Sequence, residues 1–124
     1  MVVSSPWNKH GWILIRYSVQ VTQSAKVDIA QKKRYILYTF KYREYAEKYS
    51  TRIKKAIEDL SVFPKRHSQV GIRYRGYELY MKSDNYSNLI FYIIDEEYSR
   101  VSVIRVLQDD MDWRRILTEW ISDK

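Results

Sequence analysis

The residues able to do chemistry in this chain are few in kind. It has no cysteine and two histidines, His10 and His67. A thiolate nucleophile, a disulfide framework and a cysteine-based zinc site are thereby excluded, and two imidazoles do not make a histidine metal cluster. No metal and no cofactor are expected. What remains is cationic and phenolic: 22 lysines and arginines against 15 carboxylates, a net charge of +7, and twelve tyrosines. His67 stands in a basic stretch, Lys65 to Val70, where an imidazole can act as a general acid near neutral pH, although a lone surface histidine usually has no such role. Arg73 and Arg75 alternate with Ile72 and Tyr74 in IRYRGYELYMK, so a strand there sends both cations to one side. They either offer positive potential to a phosphate or are solvated strand residues. The tyrosines and the four tryptophans can stack on bases, and are equally good core material.

The elements that must hold these groups are organised around residues 86–117. Leu89 to Ile94 is a run of apolar and aromatic residues, as in a strand buried on both faces; Asp95, Glu96 and Glu97 interrupt it, and Val101 to Leu107 resumes with β-branched residues. This predicts a hairpin. Gln108, Asp109 and Asp110 end the second strand, and Trp113, Ile116, Leu117 and Trp120 then recur at helical spacing. Upstream, residues 1–14 mix Pro6 and Gly11 with Trp7 and Trp12 and are expected to be a poorly ordered extension of a single domain over 15–124. Tyr17, Val19 and Val21 alternate with polar residues in a first strand, and Thr22 or Ser24 caps a helix whose inner face is Ala25, Ile29, Ile36 and Phe40.

The period breaks near Lys41 to Arg43. A second helix follows with the stripe Ala46, Tyr49, Ile53, Ala56, Ile57 and Leu60, stopped by Val62, Phe63 and Pro64. Residues 72–82 then read as one strand with Gly76 at a bulge, and Ser83 to Asn85 turn into the central hairpin. The expected fold is α+β: an N-terminal strand, a helical hairpin packed on a small antiparallel sheet of about four strands, and a C-terminal helix.

The 124 residues suffice for one domain with a real core. The longest apolar run is far too short to span a bilayer, and the N-terminus lacks the pattern of a secretory signal, so a cytoplasmic protein without membrane contact is expected. A +7 surface attracts polyanions, whether nucleic acid or an acidic protein.

Four stretches carry a resemblance to a known family: VTQSAKVDI, YAEKYSTRIKKAIEDLSVFP, YSNLIFYIID and VIRVLQDDMDW. Together they resemble the RelE/ParE superfamily of toxins from bacterial type II toxin-antitoxin modules, over about residues 15 to 120. Arg105, Val106, Leu107, Met111 and Asp112 match the ParE-type ending, in which an Ile or Val strand runs into Arg-Val-Leu-His, two variable residues and Met-Asp. The resemblance implies a growth inhibitor neutralised by a cognate antitoxin whose C-terminal segment wraps over the toxin. That segment should be acidic, to meet the +7 surface. It also implies one of two targets: messenger RNA in the ribosome for RelE-like members, or DNA gyrase for ParE-like ones.

Metal-free RNA cleavage needs a base for the 2′-hydroxyl, a cation for the pentacovalent phosphate and an acid for the leaving oxygen. Lys82 lies just before the central strand, where the family often places a catalytic arginine, so it is the best matched cation, with Arg73, Arg75 and His67 as its companions. The departures weigh against cleavage. Gln108 stands where many relatives have histidine and cannot exchange a proton near neutral pH, and Asp109 and Asp110 would repel a phosphate. A ParE-like toxin acting by binding is therefore the favoured reading, with Arg105, Gln108, Trp113, Arg114 and Trp120 as the surface for target or antitoxin. The two tryptophans are either anchors for a partner or the seal between helix and sheet. A ribosome-dependent endonuclease and a non-toxic basic binding module are the alternatives.

Overall fold

The computed structural model describes residues 16–123; the expected N-terminal extension, residues 1–14 with His10, lies outside them. The chain runs β1 (Ser18–Val21), α1 (Gln23–Phe40), α2 (Arg43–Glu58), β2 (Ser68–Tyr74), β3 (Tyr77–Ser83), β4 (Asn88–Asp95), β5 (Arg100–Gln108) and α3 (Trp113–Ser122), with two short 3₁₀ turns, Asp59–Ser61 and Pro64–Arg66, between α2 and β2. The five strands form one sheet in the order β1-β5-β4-β3-β2. β1 lies parallel to β5 and every other neighbour is antiparallel. The α+β class is as expected, while the sheet is mixed and has five strands rather than about four.

The extra strand arises where residues 72–82 were expected to be continuous. Arg75 and Gly76 both have positive φ, +52° and +87°, the pairing that a two-residue turn between twisted strands requires. Gly76 is therefore a hairpin turn and not a bulge. β2 also starts at Ser68, so strand begins inside the stretch read as basic loop.

Two apolar layers flank the sheet. Ile90, Tyr92 and Ile94 of β4 meet Ala25 and Ile36 of α1 and the α2 stripe Ala46, Tyr49, Ile53, Ala56 and Ile57. Leu89 and Phe91 point the other way, to Ile104, Leu107 and α3 with Leu117, Trp113 and Trp120. Covering on both faces is why β4 shows no polar alternation. In β5 the register shifts: Phe91 pairs with Arg105 and Tyr92 with Val103, leaving Ile104 as the extra residue. Val106 thus rejoins the layer of Val101 and Val103 while Leu107 faces α3.

Thr22 caps α1, its hydroxyl accepting from the Ala25 amide, and Lys41 at φ +61° ends the helix in the left-handed conformation. The hairpin of helices is thus punctuated where the period changed. Its far end differs from expectation: Phe40 is 51% exposed rather than inside, and Tyr35, Leu37 and Tyr38 are exposed beside it.

Candidate functional site

Lys82 and His67 lie on the side of the sheet covered by α2. Lys82 sits in β3 opposite Ile90, and its ammonium donates to the Ala56 carbonyl at 2.8 Å and lies 3.9 Å from the Asp59 carboxylate. It caps the last turn of α2, where unpaired carbonyls favour a cation. Only 12% of its side chain is exposed, and burial pulls its pKa below the usual lysine value. His67 follows the second 3₁₀ turn, edge-on to Tyr92 at 6.4 Å. Burial first, then the positive charges of Arg66 and Lys82, hold its imidazole below the ordinary value. The ring is neutral at pH 7, and its Nε2 accepts from Arg66 Nε at 3.3 Å.

The phenols around it are committed. Tyr92 donates to the Pro64 carbonyl at 2.6 Å and stacks on Tyr80 at 5.5 Å, while the Tyr80 hydroxyl accepts from Gln69. Burial raises the Tyr92 pKa strongly, so its proton stays on oxygen.

Arg73 and Arg75 are elsewhere. Arg73 pairs with Glu78 at 3.0 Å and donates to the Gly76 carbonyl, and Arg75 lies over the Tyr74 ring at 5.2 Å. Glu78, across from Arg73, is four residues before Lys82 along β3, a separation of about 13 Å at strand rise. The four residues expected to share a phosphate do not converge; His67 and Lys82 are neighbours, and the two arginines sit at the hairpin tip.

The second expected surface, at β5 and α3, is tied up internally. Arg105 forks onto Asp28 of α1 at 2.7 and 3.1 Å, and Asp28 also accepts the Val106 amide at 2.9 Å. The guanidinium lies 4.9 Å over the Trp120 ring, which is stacked on Tyr74 with 2° between planes. Arg105 therefore joins α1 to α3 around the sheet's edge. Trp113 packs on Phe91 at 5.2 Å beneath the Arg114 guanidinium, and Arg114 donates to the Val70 carbonyl at 2.8 Å. Both tryptophans seal the C-terminal helix to the sheet.

Gln108 lines an open groove. β1 pairs only with Arg100 to Val103, so from Arg105 onward β5 faces α1 with no strand between. A cleft of about 470 Å³ lies there, lined by Asp28, Gln31 and Tyr35 of α1 and by Arg105, Gln108 and Met111. A second cleft of about 330 Å³ continues it past Val27 to Trp120, sharing Asp28, Gln31 and Arg105. Asp28 was not singled out from the sequence. It was detectable as the sole carboxylate among the 18 residues of α1, one helical turn from Ala25.

Asp84 was also passed over, as a mere turn residue. Its buried carboxylate accepts from the Tyr86 and Asn88 amides, the Asn88 side chain and Arg52, fixing the β3–β4 turn against α2. Among the described residues no group of three histidines or carboxylates is arranged to hold a metal ion, and no helix is long and apolar enough to cross a membrane.

Two solved structures share this arrangement. One is the RelBE2 toxin-antitoxin complex of Mycobacterium tuberculosis, at 22% identity and TM-score 0.51, covering 77% of this chain and 95% of that one. The other is the chromosomal ParDE system of P. aeruginosa, at 12% identity and TM-score 0.60, covering 75% and 96%. At such identities they establish the fold alone. A search of curated proteins found no match. The model of the ParE toxin of the type II toxin-antitoxin system, parDE, matches residues 19–113, from β1 to the first residue of α3. That span is most of the chain, and the chain belongs to the ParE toxin family of type II toxin-antitoxin systems.

Proposed function

We propose that this toxin is held inactive by a cognate antitoxin with an acidic binding segment and that it inhibits DNA gyrase by binding, without cutting RNA. The observation that supports binding over cleavage is the placement of Lys82. The cation best matched to a phosphate-stabilising role is spent on the C-terminus of α2, and Arg73 and Arg75 are at the other end of β3. Of the tyrosines nearest His67, Tyr92 commits its proton to the Pro64 carbonyl and the Tyr80 hydroxyl accepts from Gln69. Asp109 and Asp110, exposed after β5, add charge of the wrong sign for a phosphate. The antitoxin is supported by family membership and by the complexes named above.

The experiment is inducible expression of the chain alone in bacteria, following translation and DNA integrity from the first minutes, together with supercoiling by purified gyrase. Gyrase inhibition and filamentation with translation initially intact is the expected outcome. An early fall in protein synthesis with cleaved messenger RNA on ribosomes refutes it. The proximity of His67 to Arg66 and Lys82 is what favours that second reading, and Lys82→Met would then abolish the effect.

A further inference from the structure

The second helix keeps its central cations on one flank. At about 100° per residue, Lys48, Arg52 and Lys55 fall within about 60° of one another around α2, while Glu47 and Glu58 lie about a quarter turn away. Lys48 and Lys55 are exposed, and their ammonium groups have no carboxylate partner among the described residues. The flank faces the β3–β4 turn, where Arg52 meets Asp84.

Arg52 is held in place. Its Nε donates to the buried Asp84 carboxylate at 3.3 Å, and the Tyr86 ring lies 4.1 Å from the guanidinium. Its two Nη groups make no hydrogen bond among the described residues, and 30% of the side chain is exposed. A guanidinium fixed at one edge and one face, with its remaining donors open, is a ready fork for the oxygens of a phosphate. With Lys55, Ser83 and Asn85 it lines a cleft of about 220 Å³. The two carboxylates of that cleft are already engaged, Asp84 by Arg52 and two backbone amides, Asp59 by Lys82. Lys82 lines the cleft as well. After burial, and against the Asp59 carboxylate, the charges of Arg66 and Lys55 lower its pKa, so the cations crowd together there.

We propose that this flank of α2, with the β3–β4 turn, binds the phosphodiester backbone of DNA; the choice of DNA rests on the gyrase reading above, since gyrase acts on a DNA duplex. Lys48 to Lys55 is about 10 Å along the helix axis, which spans about three phosphates of one strand at about 3.4 Å each. An acidic protein would call for a buried apolar or aromatic centre. Between Lys48 and Lys55 the flank presents only Tyr86, whose ring already covers Arg52. Contact with a backbone alone carries no sequence preference and depends strongly on salt.

The test is fluorescence anisotropy of a labelled duplex of about 20 base pairs titrated with the full chain over a range of salt, beside single-stranded RNA of the same sequence and a polyglutamate competitor. With three phosphates neutralised, the logarithm of the association constant should fall against that of salt with a slope of about −2.7. Lys48→Gln with Lys55→Gln changes only exposed side chains; it should bind roughly tenfold more weakly at low salt, with the slope reduced by about 2. Arg52→Lys keeps a counter-charge for Asp84 and loses the fork, so it should bind several-fold more weakly at an unchanged slope. Lys26→Gln with Arg34→Gln removes the same charge from exposed positions of α1 and should leave affinity and slope as in the wild type.

An unchanged slope in the variant of Lys48 and Lys55, or an equal loss in the α1 variant, overturns the proposed track in favour of diffuse net charge. Arg52→Lys binding as wild type overturns the fork. RNA bound more tightly than the duplex, or polyglutamate that displaces the duplex at matched charge, overturns the assignment to DNA. Duplex binding lost in the variant of Lys48 and Lys55, with purified gyrase uninhibited by the wild-type chain, upholds the track and refutes the gyrase reading.

Discussion

Removing the carboxylate of Asp28 tests whether the chain's main cation at the sheet edge is architecture. Asp28 and Arg105 side chains are 10% and 15% exposed, and the carboxylate accepts three hydrogen bonds, two from Arg105 and one from the Val106 amide. Asp28→Ala leaves a mostly buried guanidinium without its counter-charge, for which breaking such a pair costs about 3–5 kcal/mol. The Trp120 ring still covers one face of the guanidinium, and the groove admits water, so the lower end, about 3 kcal/mol, applies. The orphaned Val106 amide adds about 1 kcal/mol. Arg105→Met leaves Asp28 able to hydrate while keeping the amide bond, at about 2 kcal/mol.

The double variant has no buried charge at this pair and should cost about 2 to 3 kcal/mol, well short of the sum of the singles, giving a coupling of about 3 to 4 kcal/mol. Urea unfolding followed by tryptophan fluorescence measures all four corners, with the slope unchanged if the native fold persists. A loss under about 1 kcal/mol for Asp28→Ala, or additivity within about 0.5 kcal/mol, would refute the account.

Three further outcomes are expected. His67 has a folded-state pKa below its unfolded value, so as pH falls through the ordinary imidazole value of 6.5 the unfolded chain binds more protons and stability falls; His67→Gln should lessen that slope in a pH series of thermal melts. Lys82→Met, which keeps the buried stem and removes the ammonium from the Ala56 carbonyl, should cost about 1–2 kcal/mol in denaturant unfolding while growth inhibition persists at matched soluble level. Gly76→Ala meets no atom within 4 Å but must hold φ +87°, so it should lose about 1 kcal/mol by strain alone, with Gly76→Asn, more tolerant of positive φ, losing less in the same melts.

What the sequence made legible and what it hid divide along physical lines. The α2 stripe and the run Leu89 to Ile94 were readable because burial imposes a period, or abolishes one, on consecutive residues. Thr22 as a cap was readable because the signal is local. The parallel β1–β5 pairing brings together residues 82 positions apart, and no local pattern encodes it. The β2–β3 hairpin was missed because Arg75, in a conformation that usually selects Asn or Gly, concealed half of the turn signal. Site residues were the least legible: Lys82 and Arg105 were identified as cations, but the Ala56 carbonyl and Asp28 that engage them are distant in sequence.

Strand edges invite pairing, and β5 beyond Val103 is such an edge because β1 is only four residues long. Asp28 stands where the next strand's carbonyl would, taking the Val106 amide, so a chain entering the groove meets a capped position at Val106. Its recognition then falls to side chains, Gln31 and Tyr35 on one wall and Gln108 and Met111 on the other. Arg105 is neutralised and two-sided, held by Asp28 and Trp120, and offers an acidic segment little. The cations left to attract such a segment are those along and beyond the exposed end of α1, beside Tyr38 and Tyr42. Charge reversal at Lys41 and Arg43 should therefore slow antitoxin association and Arg105→Met should not, a contrast that stopped-flow rates at low and high salt resolve.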